Sequence, residues 1–226
     1  MKTILLPMLL GATAGVMPVL SQVVITEPPR NYSAGLVLDD LLEIPLSFAL
    51  TVSDSAIVSV TRVEVGLHLV GATPESGFAG EMFVSLNRNL GASSVLINGV
   101  GITGSDGVGL GYDGWNVSFR DDASNGDVHV ANPGRGVLSG AWAPDGRVRP
   151  ADVSRPLGLD VFTGQAGNGV WHLNVADLEL GGRMRLESWS LALTGFAAVP
   201  EPETWAVFAG GFCVVSAVCF RRRATG

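Results

Sequence analysis

The stretch "RVEVGLHL", Arg62 to Leu69, alternates without a break. Val63, Val65, Leu67 and Leu69 take one parity, and Arg62, Glu64, Gly66 and His68 the other. A period of two sends successive side chains to opposite faces of an extended strand, so the segment has one apolar and one polar face. "WHLNVAD" repeats the pattern, with Trp171, Leu173 and Val175 inward and His172 and Asn174 outward. "ESWSLALTG" repeats it again through Trp189, Leu191 and Leu193. Between these two, "ELGGRMR" sets Gly181-Gly182 where a hairpin turn belongs, which predicts Trp171 and Trp189 on adjacent strands. Shorter candidate strands run Met82 to Leu86, Ser94 to Asn98 and Trp115 to Phe119. Short strands, abundant glycine and no long amphipathic helix predict an all-β, antiparallel sandwich.

Composition narrows the partners. The 226 residues allow one domain of ordinary size plus targeting segments, and 47% hydrophobic residues supply a core. A formal net charge of −7 argues against nucleic acid as a partner, which needs a basic face to displace counterions. It suits solubility and divalent cations instead. Both cysteines, Cys213 and Cys219, lie in the final apolar run, so the body holds no disulfide framework and no thiolate metal site.

The two ends point to export. "MKTILLPMLLGATAG" has an early lysine, an apolar stretch and small residues, the layout of a secretory signal peptide over residues 1–21. Ala12-Thr13-Ala14 and Val19-Leu20-Ser21 are its candidate cleavage sites. Near the other end, Thr204 to Phe220 carries no charge, which predicts a transmembrane helix over residues 204–220. At about 1.5 Å rise per residue it spans about 25 Å, enough for a thin bilayer. Arg221, Arg222 and Arg223 follow directly and hold that end in the cytoplasm, leaving the body outside.

Val199-Pro200-Glu201-Pro202, one short apolar span and a terminal arginine cluster, residues 199–226 together, resemble the PEP-CTERM sorting signal of bacterial envelope proteins. The resemblance implies recognition by an exosortase-type membrane enzyme that removes the helix and the arginines. Val199, Pro200, Glu201, Pro202, Arg221, Arg222 and Arg223 are then sorting residues, not catalysts. It implies an inner-membrane-anchored precursor in a Gram-negative bacterium and delivery to the cell envelope, outer surface or extracellular polysaccharide matrix of biofilms. The two prolines hold the triplet extended and unpaired, accessible to a protease-like cleft.

Residues 22–198, with a core at about 40–195, carry a second resemblance. "LDVFTGQAGNGVWHLNVADLELGGRMRLESWSLALTG" resembles the end of the P domain (P/Homo B), a jelly-roll sandwich found beside subtilisin-like proprotein convertases. Phe162, Gly164, Asn168, Gly169, Trp171, Leu173, Val175 and Asp177 match its pattern, followed by Leu186, Ser188, Trp189, Ser190 and Leu191. The family's early H-x-x-x-G-D-L is not kept; Gly80-Glu81-Met82 stands in its place. The resemblance implies an antiparallel jelly-roll-like β-sandwich without the protease that usually accompanies it.

Catalytic signals are thin. His68, His129 and His172 stand apart in sequence and offer no clustered zinc ligands. No G-x-S-x-G elbow occurs, and "TGSDGVG" reads as a Gly-rich turn. "GSDGVGLGYDGWNVSFRDDASNGD" sets Asp106, Asp113, Asp121, Asp122 and Asp127 among glycines. Two readings stand there: calcium loops with Asp113, Asp121 and Asp122 as ligands and Ca²⁺ as cofactor, or turn chemistry alone. The expected function is a non-catalytic exported module, not an enzyme, that binds a matrix component such as extracellular polysaccharide. A passive structural or surface-coat role is the alternative, and a hydrolase the lesser one. Exposed Tyr112 and Trp142 would favour a ligand surface, and their burial the structural role.

Overall fold

The computed structural model describes residues 22–198, apart from 43, 74–76, 90 and 106. Within it Val23–Ala198 is one compact unit, built of strands and short 3-10 turns with no α-helix among the described residues. The predicted signal peptide, transmembrane helix and sorting signal lie outside the described residues.

One sheet holds six strands: β1 (Val23–Thr26), β2 (Arg30–Val37), β4 (Ile57–Gly71), β7 (Gly114–Phe119), β8 (Val137–Trp142) and β10 (Met184–Ala197). Their order is β1-β10-β4-β7-β8, with β2 pairing β10 beside the stretch that β1 covers. The other sheet holds β3 (Leu46–Val52), β5 (Met82–Arg88), β6 (Ser93–Asn98) and β9 (Gly169–Asp177), ordered β3-β9-β5-β6. The pairings are antiparallel except β7 with β8, which run parallel. That pair departs from the predicted all-antiparallel arrangement. The long connection between β7 and β8 carries the chain back to start β8 in the same direction.

The alternation read from the sequence is the burial pattern observed. Val63, Val65, Leu67 and Leu69 are all buried on β4, and Trp189, Leu191 and Leu193 on β10 beside it. From the other sheet Phe48, Val84, Leu86, Trp171, Leu173 and Val175 join the same apolar cluster. The phase on β4 changes between Val60 and Val63, both buried, where the register with β10 slips at Thr194/Gly195. One extra residue at such a bulge returns the next side chains to the core face. Gly114 opens β7 with φ +125°, and a Cβ there would lie 2.2 Å from the Leu69 carbonyl oxygen. Only glycine lets β7 start so close against β4.

The Gly181-Gly182 segment is not a hairpin. Trp171 sits on β9 in the four-stranded sheet and Trp189 on β10 in the six-stranded one, so the segment crosses between sheets. Both tryptophans are buried as predicted, but their partners differ. Trp171 packs edge-on against Phe162 at 5.0 Å between ring centres, and Trp189 lies tilted beside Tyr32 at 6.2 Å. Two strands that each carry one apolar face can share a core either as neighbours or across it. The alternation alone does not distinguish these arrangements.

Candidate functional site

The three predicted calcium ligands divide between the two ends of β7. Asp113 precedes it, where its N–H donates to the Gly136 carbonyl and its own carbonyl accepts from the Gly71 N–H, both at 2.8 Å. Asp121 and Asp122 follow it. A six-residue strand at about 3.3 Å per residue separates the ends by about 20 Å, too far to share an ion. Asp121 Oδ1 accepts from the Leu159 N–H at 2.9 Å, tying the β7 end to the 3-10 turn Leu159–Phe162. Burial, and the neighbouring Asp160, raise its pKa despite the Leu159 and Asp160 amides and Arg155. Asp122 faces arginines, Arg120 at 3.5 Å and Arg62 at 3.7 Å. Together with Arg62, Asp160 and Thr163 these two aspartates line a cleft of about 220 Å³. Asp106 lies outside the described residues.

A buried ionic network was not legible in the sequence. His129, in the 3-10 turn Val128–Val130, and Asp145, in the loop after β8, are both buried. His129 Nδ1 is 2.6 Å from Asp145 Oδ2, and its Nε2 is 2.9 Å from the Ile102 carbonyl oxygen. Arg147 donates from Nη1 to Asp145 Oδ1 at 3.2 Å and from Nη2 to Asp127 Oδ2 at 2.7 Å. Asp127 Oδ1 in turn accepts from the His129 N–H at 2.9 Å. Arg155 closes the network by donating to the Asp145 carbonyl at 2.8 Å and to the Pro144 carbonyl. Burial opposes the charged imidazole, but hydrogen bonds to Asp145 and the Ile102 carbonyl outweigh it and raise the pKa of His129. Burial also opposes the charge on Asp127, yet Arg147 and the His129 amide hold its carboxyl below the ordinary range. A histidine whose two nitrogens both meet acceptors has no lone pair left to take a proton. His129 therefore braces loops and does not serve as a general base.

His172 Nδ1 meets the Ser47 hydroxyl at 3.1 Å across the β3–β9 pair, and His68 stands half-buried on β4. Tyr112 and Trp142 both turn inward. Tyr112 is only 1% exposed, edge-on to Trp115 at 5.4 Å. Trp142 is half-buried against the core, its indole N–H donating to the Ser139 carbonyl at 2.9 Å.

A second buried acidic group lies where β9 ends. Asp177 is fully buried, and neither of its carboxylate oxygens has a hydrogen-bond partner. Burial, with Glu81 and Asp40 facing it, pushes its pKa up to about 7 against the lowering effect of the Glu179 amide. Burial also raises the pKa of Glu81, against the Gly182 amide and with help from Glu179 and Asp40. Among the described residues no group of three or more histidine, cysteine or acidic side chains is placed to hold a metal ion.

No family model matches the chain, and no curated protein matches it. Solved structures of a serine protease of Aeromonas sobria, alone and in complex with its chaperone ORF2, are similar to it at 15% identity and a TM-score of 0.45. The matches cover 80% and 77% of this chain but only 28% and 27% of the protease chains, so it spans little more than a quarter of their length.

Proposed function

We propose that the protein is an exported, non-catalytic module that an exosortase-type system sorts to the envelope or polysaccharide matrix, where its role is structural. The order of residues in the tail sequence carries this reading: Val199-Pro200-Glu201-Pro202, an uncharged run, then Arg221 to Arg223. A P-domain-like jelly roll is the fold we assign to the module, and the crossover from β9 to β10 between sheets supports it. Calcium at Asp121 and Asp122 is not part of this reading, because Asp121 already accepts an amide and Asp122 faces two arginines. The structural role is preferred to carbohydrate binding because Tyr112 is buried and Trp142 turned inward, whereas a sugar-stacking platform needs exposed rings.

The test is fractionation of host cells that make the full chain, with intact-mass measurement of its C-terminus. The native chain should leave the inner membrane shortened near Pro202, and a Pro200→Ala/Glu201→Ala double variant should stay there at full length. Equal processing of both would remove the sorting assignment. Co-sedimentation with the host's polysaccharide then separates the roles, since specific pelleting would favour matrix binding over a structural part.

A further inference from the structure

An edge strand offers a row of unpaired N–H and C=O groups, which folded chains cover or interrupt. Most edges of this sandwich are treated in that way. Along β6 the loop after β8 lies over the edge: the Val95 N–H donates to the Leu157 carbonyl at 2.9 Å, and the Asp145 N–H donates to the Leu96 carbonyl at 3.0 Å. On β8, Gly140 is left-handed and the Ser139 carbonyl is taken by the Trp142 indole. Of the two strands on the outer side of β10, β1 has only four residues, while β2 slips register at Leu186/Ser188 and holds the left-handed Gly35.

The exception is β3. Its sequence, LSFALTV, has no charge, proline or glycine. It pairs with β9 without a register shift and contains no residue of positive φ. Its free backbone groups follow from β9. The Asn89 N–H donates to the Val170 carbonyl and the Leu178 N–H to the Glu81 carbonyl, so the even-numbered residues of β9 bond toward β5 and the odd-numbered ones toward β3. Phe48 lies opposite Leu173 and Leu50 opposite Trp171, so these bond to β9, and Ser47, Ala49 and Thr51 aim their N–H and C=O groups outward. All three are exposed.

We propose that β3 pairs antiparallel with β3 of a second copy of this chain, about a two-fold axis at Ala49. Ala49 then faces Ala49, and Ser47 faces Thr51 of the other copy, with about six hydrogen bonds in the new ladder. A two-fold interface needs a patch that complements itself, and these three outward residues are spaced symmetrically about Ala49. Charge favours the same place. The chain carries −7, so copies repel, but Ile44 to Ser53 holds no charge. The nearest charge past the strand, Asp54, is already met by Arg30 at 3.0 Å. Pro45 has no N–H and ends the ladder, which fixes its register. The same register lays Ile44, 80% exposed, over the end of the other copy's strand. The two four-stranded sheets become one continuous sheet, and the regular edge disappears.

The experiment is sedimentation velocity of the full-length chain in density-matched detergent, joined to cysteine cross-linking in a Cys213→Ser/Cys219→Ser background. The native chain should be a dimer. Ala49→Cys should cross-link under mild oxidation, because paired Cα atoms lie about 5.5 Å apart. Ser47→Cys and Thr51→Cys should cross-link when mixed but not alone, since like positions stand about 13 Å apart in this register. Val153→Cys, 95% exposed in the loop over β6, should not cross-link. Ala49→Lys sets two cations face to face and should weaken association at least roughly tenfold, with unchanged far-ultraviolet dichroism. A monomeric native chain, a dimer that survives Ala49→Lys, or cross-linking that ignores the register overturns the pairing.

Discussion

His129 Nδ1 lies 2.6 Å from Asp145 Oδ2 with both side chains buried, while His129 Nε2 lies 2.9 Å from the Ile102 carbonyl oxygen. A carboxylate and a carbonyl are both acceptors, so the protonated imidazole, with a donor on each ring nitrogen, is the form that satisfies both. The histidine thereby joins three loops: the turn after β7, the loop after β6 and the loop after β8.

Removing one partner of a buried ion pair leaves the other uncompensated. His129→Ala should cost about 3 kcal/mol in urea unfolding of the full chain. His129→Gln, which keeps one donor, should cost less. Equal losses would show that volume, not charge, matters at this position.

The same pair sets a pH dependence. The folded-state pKa of His129 is raised, so its contribution is fully present below the unfolded value of about 6.5. It is lost as pH rises through the higher folded value, because the native state then gives up its extra proton. Asp145, Asp127, Arg147 and Arg155 are the charged groups around it. Urea midpoints of the native chain should fall as pH rises above about 6.5, by more than those of His129→Gln. Parallel profiles for the two proteins would refute the assignment.

Trp171 and Trp189 anchor opposite sheets, and each is buried. Replacement of either by alanine should destabilise by about 3–5 kcal/mol, since it leaves a ring-sized cavity. Denaturant midpoints measure this directly. The loss at Trp171 should also free Phe162, visible as weaker near-ultraviolet dichroism.

Gly114→Ala combines a left-handed φ with a Cβ 2.2 Å from the Leu69 carbonyl. It should cost more than about 2 kcal/mol and loosen the β4–β7 ladder, which amide exchange at Leu69 and Trp115 reports. Native-like exchange at those amides would contradict the steric account.

Asp121 holds the Leu159 N–H through one oxygen. Asp121→Asn keeps an acceptor and should be nearly neutral, whereas Asp121→Ala should cost about 1–2 kcal/mol for the orphaned amide. Unfolding midpoints that do not rank the variants this way would mean the carboxylate acts through its charge.

Strand identity was legible because it depends on neighbours two residues apart. Val63 to Leu69, Trp171 to Val175 and Trp189 to Leu193 announce their buried faces through alternation, whatever they pack against. Strands β1, β2, β3 and β8 were not foreseen. β1 and β2 are covered on one side by β10 and leave many positions exposed, so their pattern is weak. Among the described acidic residues singled out in the sequence, Asp121 and Asp122 line one cleft; Asp113 shares their loop composition but is separated from them by β7.

From the sequence alone follow the all-β class and the inward faces, because each rests on local periodicity. Tertiary structure alone decided that Trp171 and Trp189 lie in opposite sheets, that His129 meets Asp145, and that Asp177 faces Glu81 and Asp40. Those pairings are set by strand order and register. Alternation specifies which face of a strand is apolar but not which strand lies beside it, so distant loops become neighbours only once both sheets have closed over one core.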